Sequence, residues 1–317
     1  MSRPGPSAAS PGSPETRPDP SETSPDSPAT QPDSLMTAPD PSATPPGPSA
    51  PPPDRTALRD HLVRTRIAGD VATSRENNLD HYRSLANRDP YHLFGLTLRG
   101  RWAYRDVLEL MARSAGVVAD PGHREGQDTI DPDLTIAAVE AMGDTIAGVL
   151  RRGAPRVLMA TGHPTGLLTV HLALARLLRR HGAIMMSPAE GWSYWGSGYG
   201  RKRRIRYMDD VAMLDDRGAF VHTHDPAPMQ AMLGRLAELA GPGDGRPDLV
   251  IADHGWAGAA GEAGLLTVGF ADSNDPALFV GEAEGKIAVT VPLDDNVLPR
   301  HYDPLTKYLV ERVVRAL

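Results

Sequence analysis

Two hydrophobic periods divide the chain. Tyr104, Val107, Leu108 and Met111 stand at i, i+3, i+4 and i+7, and Gly116 follows where a helix end favours glycine. Thr73-x-x-Glu76 has the spacing of a capping box and opens a helix carrying Leu79, Tyr82 and Leu85, which Asn87-Arg88-Asp89-Pro90 would stop. Asp131-Pro132 supplies an N-cap and first-turn proline for a helix with Ile136, Val139, Met142, Ile146 and Val149. After Gly153 short apolar runs at 156–161, 183–188, 248–253, 265–272 and 286–293 alternate with helical stretches. Runs apolar almost throughout are what strands covered on both faces require, and the alternation is that of a parallel sheet with crossover helices. The pattern predicts an α/β protein: a Rossmann-like open parallel sheet over 154–317, preceded by a helical cap region over 54–153. A glycine-rich, basic hairpin at 191–223 reads as an insertion on that layer.

The proline distribution adds a third segment. Residues 1–53 hold 17 of the 31 prolines and almost no branched aliphatic side chain. Such a tail cannot bury enough apolar surface to offset the entropy of ordering, so disorder is expected there. It lacks the charged and apolar regions of a secretory signal, and no run approaches a membrane span of roughly 18 apolar residues, which together predict a cytoplasmic protein without membrane partners.

The formal charge of −7 leaves −3 for residues 54–317 (34 acids, 31 bases), against the basic face expected of a nucleic-acid binder. No cysteine is present. Thiol catalysis, disulfides and thiolate metal sites are therefore excluded.

Ligands of open α/β sheets bind beyond the carboxyl ends of the strands. There the chain becomes polar. After the first run comes Thr161-Gly162-His163-Pro164-Thr165-Gly166, where Gly162, Thr165 and Gly166 could bring backbone and hydroxyl groups to a phosphate at a helix start. An ordinary turn with a buried histidine is the plainer reading. The GxGxxG and GxxxxGKS fingerprints are absent. Later runs end in Asp253-His254, Asp272-Ser273-Asn274-Asp275 and Asp294-Asp295-Asn296. Asp253, Asp272 and Asp275 could hold Mg²⁺ or Mn²⁺ through oxygen, Asn274 could bind substrate, and His163 or His254 could carry the proton. Asp275-Pro276 also reads as a plain helix cap, and Asp294-Asp295 as turn chemistry. His222-x-His224 has the form of a metal pair on one face of a strand, beside the local alternative that Asp225-Pro226 caps the next helix. Among the hairpin bases, Arg204 is a candidate for meeting an anionic substrate.

The runs Ala-Thr-Gly-His-Pro-Thr-Gly (160–166), Ala-Asp-His-Gly-Trp-Ala-Gly-Ala (252–259) and Asp-Ser-Asn-Asp-Pro-Ala-Leu-Phe (272–279) resemble those of an actinobacterial family labelled phosphatase. The resemblance spans about residues 55–310. It implies a phosphatase, and together with the strand-end groups the expectation is a phosphoric monoester hydrolase acting on a small phosphorylated metabolite. Better-known phosphatase types are not matched. Leu214-Asp215-Asp216 lacks the Asp-x-Asp of the haloacid-dehalogenase type, and Arg180-His181-Gly182 ends a helix where the histidine-phosphatase type needs it near a first strand. The layout is similar to that of metal-dependent carbohydrate-phosphate phosphatases. The alternatives are a non-catalytic Rossmann-like protein binding a nucleotide or phosphosugar, and an interaction protein working through its Arg-rich hairpin.

Overall fold

A computed structural model describes residues 53–195, 201–240 and 245–317. The expected disordered tail thus lies, up to residue 52, outside the described residues.

The first segment runs α1 (Arg55–Thr65), β1 (Gly69–Ser74), α2 (Arg75–Ala86), α3 (Tyr104–Ser114), β2 (Gln127–Ile130) and α4 (Pro132–Leu150). The second opens with β3 (Arg156–Ala160), α5 (Pro164–Arg180) and β4 (Ile184–Met186), followed by β5 (Ser193–Trp195), β6 (Lys202–Met208), β7 (Val211–Asp216) and β8 (Ala219–Val221). It closes with α6 (Ala227–Ala240), β9 (Leu249–Asp253), α7 (His254–Glu262), β10 (Thr267–Ala271), α8 (Pro276–Ala283), β11 (Val289–Pro292) and α9 (Asp303–Ala316). Among the described residues, no helix is long and apolar enough to cross a membrane.

The main sheet is mixed, in the order β11-β10-β9-β3-β7-β6-β5. Strands β4 and β7 share one edge of β3, β4 along Arg156–Leu158 and β7 along Met159 and Ala160, both parallel to it. On the other edge β9 pairs with β3 in parallel, and β10 and β11 continue in the same sense. The chain thus leaves β3 in one direction and later returns to its other side. A crevice opens at such a reversal, beyond the carboxyl ends of β3 and β9.

Alternation along the strands sorts the core into two layers of side chains. Val157, Met159, Leu249, Ile251, Val268 and Phe270 face α1, α4, α5 and α9. Leu158, Ala160, Val250, Ala252 and Ala271 face the layer formed with α2, α3, α7 and α8. A period of two on strands covered on both faces requires this division.

Two expectations change. Residues 202–216 do not form an insertion outside the layer: β7 is buried along its whole length and is a strand of the sheet, with β6 and β8 antiparallel on either side of it. The reason is visible in Val211-Ala212-Met213-Leu214, whose apolar run needs cover on both faces. Helix α2 is capped by Ser74, which accepts from the Asn77 amide, not by Thr73. That one-residue shift frees the Thr73 hydroxyl for another partner.

Candidate active site

Three helices begin at the crevice with a residue that does not cap them. His163 precedes α5, Asp253 precedes α7 and Asp275 precedes α8, and none of the three side chains bonds to its own helix amides. His163 turns instead to Asp295, Asp253 to the Gly162 amide and the His254 ring, and Asp275 to the same ring. Helix starts also carry partial positive charge, which suits an anionic ligand.

His254 is the centre of the arrangement. It is buried, and its backbone lies in the left-handed region with φ at 48°. Its Nδ1 lies 2.7 Å from Asp253 Oδ1. Its Nε2 lies 3.3 Å from His222 Nε2, 3.3 Å from Asp275 Oδ2 and 3.4 Å from Asp295 Oδ2. Three ligand-type atoms thus lie around His254 Nε2. Burial opposes charge on this imidazole, yet Asp275 and Asp253 outweigh it and raise the pKa well above the ordinary histidine value. Burial likewise opposes ionisation of Asp253 and Asp275, and His254 reverses the balance, bringing each to about 2. The neighbouring imidazoles behave oppositely: burial, then repulsion from His254 and His163, lowers His222 to about 4, and burial lowers His224 to about 3. Neutral imidazoles are the form that binds metals.

A second cluster adjoins the first. Oxygens of Asp272, Asp294 and Asp295 lie within 4.8 Å of one another, all three side chains buried. Burial and then the charges of Asp295 and Asp294 push Asp272 well above the carboxylate range. The first segment of the chain completes this side. Thr73 Oγ1 donates to Asp272 Oδ2 at 2.5 Å, and the Ala72 amide donates to Asp294 Oδ2 at 3.1 Å. Helix α2 grips the loop after β10: the Tyr82 hydroxyl donates to the Ser273 carbonyl at 2.7 Å, and His81 Nδ1 is 2.7 Å from the Asn274 carbonyl. Through these bonds α2 and β1 fix the carboxylate loops.

The cavity these groups enclose has a volume of about 450 Å³, and Thr73, His81, Thr165, Asn274 and Asn296 line it together with His163, His222, His224, His254, Asp272, Asp275 and Asp295. Among the described residues, no Lys or Arg is part of that lining. Another cavity, of about 370 Å³, lies beside the amino ends of β10 and β11, where Glu262 and Lys286 pair with each other. It gathers no comparable set of groups.

Most sequence-level candidates converge here, though in different roles. Asp272, Asp275, Asn274, His163, Thr165 and His254 line the cavity. Asp253 is fully buried behind His254 and also accepts from the Gly162 amide at 2.6 Å. Gly162 is therefore engaged by a carboxylate, and Thr223 donates its amide to the Gly162 carbonyl at 2.9 Å. Gly166 serves close packing: a Cβ there would fall on the carbonyl oxygen of Asp295. We expect Gly166→Ala to cost about 1–3 kcal/mol by overpacking, read by urea denaturation; an unchanged midpoint would show that the loops can separate freely. Arg204 is not in the lining and pairs with Asp215 at 2.9 Å. Thr73 and His81 carry no ligand signal in the sequence, whereas Asp295 and Asn296 belong to a strand-end run that reads equally well as a turn. His222 and His224 carried a legible signal in their His-x-His spacing, and both reach the cavity from the loop after β8.

A family model described as Phosphatase matches residues 53–317. The chain is 52% identical over 261 residues to Phosphatase SCO2771 of Streptomyces coelicolor, an alignment covering 81% of this chain and 95% of that protein. The chain belongs to the Phosphatase family.

Proposed function

We propose that the protein is a divalent-metal-dependent phosphoric monoester hydrolase acting on a small phosphorylated metabolite, its crevice formed at the strand reversal of a Rossmann-like layer. One observation carries this reading. The cavity presents three carboxylates and five imidazoles but no Lys or Arg among the described residues, and any charge on His254 and His163 is matched by Asp253, Asp275 and Asp295, so a bound cation is what would meet the charge of a phosphate. Mg²⁺ or Mn²⁺ fits the donor set, with His222, His254, Asp275 and Asp295 as the converging ligands. Such an ion would neutralise the phosphoryl oxygens and lower the pKa of a bound water.

The chain's own residues then divide the work. Asp253 accepts from Nδ1 of His254 and so directs Nε2 into the cavity. The carboxylates that hold a proton on Nε2 would hold a cation in its place, so binding releases that proton. Thr165 and Asn274 offer neutral donors to phosphate oxygens from the cavity wall. His163 Nδ1, 3.0 Å from Asp295 Oδ1, holds the proton required by the leaving oxygen. Burial disfavours that charge, but Asp295 outweighs it and raises the His163 pKa.

The full chain, stripped of metal, would be assayed for phosphate release from a panel of small phosphate esters. Release is expected only after Mg²⁺ or Mn²⁺ is returned. Thermal stabilisation by a phosphorylated ligand without turnover, with either ion present, would instead support a non-catalytic binding protein.

A further inference from the structure

The carboxylates around the cavity outnumber what one cation can balance. Asp253, Asp272, Asp275, Asp294 and Asp295 are each at most 4% exposed. Five buried carboxyl groups exceed what the two charges of one divalent ion can balance, in an interior where unbalanced charge is costly. Neutralising two of them by imidazolium would require His163 and His254 to stay protonated, and His254 Nε2 already points at the converging ligand atoms.

Besides a group made only of His163, His222 and His254, the ligand atoms form two groups that contain carboxylates. His224, His254 and Asp275 form one, with His222 Nε2 beside His254. Asp272, Asp294 and Asp295 form the other, entirely of oxygen. Asp295 touches both, since its Oδ2 is 3.4 Å from His254 Nε2. That same Oδ2 is buried and has no hydrogen-bond partner, although Asp295 lines the cavity. A buried acceptor left unsatisfied at the wall of a cavity is what a ligand atom shows.

Resting on the reading of the site as metal-dependent, we infer that the cavity holds two cations of unlike character with Asp295 common to both. The nitrogen-rich position of His222, His224, His254 and Asp275 suits a transition ion such as Mn²⁺ or Zn²⁺. The position of Asp272, Asp294 and Asp295 suits a hard ion such as Mg²⁺, with Mn²⁺ able to take both. Thr73, Ser273 and the Ala72 amide then act as positioning groups, holding the oxygens of Asp272 and Asp294 in place.

The test uses the metal alone. Full-length protein freed of metal would be loaded with Mn²⁺, passed through gel filtration and examined by elemental analysis and electron paramagnetic resonance. Two ions per chain with an exchange-coupled spectrum are expected. Asp294→Asn should hold one ion and show the spectrum of an isolated Mn²⁺, and Asp272→Asn should do the same if the first variant fails to fold. One ion per chain in the unaltered protein overturns the inference, as do two ions retained in a folded variant. A one-ion protein that still releases phosphate in a metal-dependent way would remove the second position and leave the proposed activity standing. A folded protein binding no ion and releasing no phosphate would remove both.

Discussion

His254→Asn is expected to reduce phosphate release by about 10²–10⁴-fold, the range associated with losing a positioned acid, base or ligand imidazole. The choice of asparagine matters. His254 has a φ of 48°, in the left-handed region that asparagine tolerates far better than alanine, so backbone strain is not added to the loss of the ring. Removing the ring takes away the Nε2 that faces His222, Asp275 and Asp295 together, and leaves Asp253 without its main side-chain partner. Steady-state release with Mn²⁺ present, beside circular dichroism of the same preparation, is the measurement. Full activity in a folded variant would take His254 out of the chemistry and, with it, the centre proposed for the site.

The second large effect concerns stability. Arg75 and Asp128 form an ion pair at 2.8 Å with both side chains fully buried. Nε and Nη2 of Arg75 donate to the carbonyls of His123 and Asp120, at 2.9 and 3.0 Å. Asp128 also accepts from Asn78 Nδ2 and from the amides of Val118 and Thr129. Burial would raise the Asp128 pKa, but these bonds outweigh it and lower it. Asp128→Ala strands a guanidinium in the interior, and breaking a buried pair in this way costs about 3–5 kcal/mol, a large part of a typical domain's stability. Urea denaturation should show that loss. Arg75→Met combined with Asp128→Leu should recover part of it, because no charge is then left unpaired. A change below about 1 kcal/mol in Asp128→Ala, the scale of an exposed pair, would mean that water reaches the guanidinium.

That pair also bears on the site. Asn78, held by Asp128, accepts from the Ser273 hydroxyl at 3.3 Å, and Ser273 donates its amide to Asp272 at 2.5 Å. The polar run Arg75-Glu76-Asn77-Asn78 meets the loop containing His123 and Asp128, and Asn77 and Asn78 also meet the loop after β10. Their contribution to the cavity is support from behind.

Local pattern and long-range pairing explain different parts of the protein. The change of hydrophobic period, the first-turn prolines at Pro132, Pro164 and Pro276, and the apolar runs ending in polar residues were all readable along the chain, because each depends on neighbours within a few positions. So was the concentration of Asp and His at strand ends. The same local reading could place Asp275 as a cap, and Asp294-Asp295 as a turn, with equal justice. Which role each side chain takes depends on strand order. Pairing of β3 with β9, and of β9 with β10 and β10 with β11, brings His163, Asp253-His254, Asp272–Asp275 and Asp294-Asp295 to one end of the sheet. Those pairings join residues tens of positions apart, and no period in the sequence encodes them. Thr73 and His81 join the site for the same reason, through contacts to residues nearly 200 positions away. The sequence therefore carried the elements and the chemical groups, while tertiary packing aimed the groups, turning helix-start residues away from their own amides and toward a shared point.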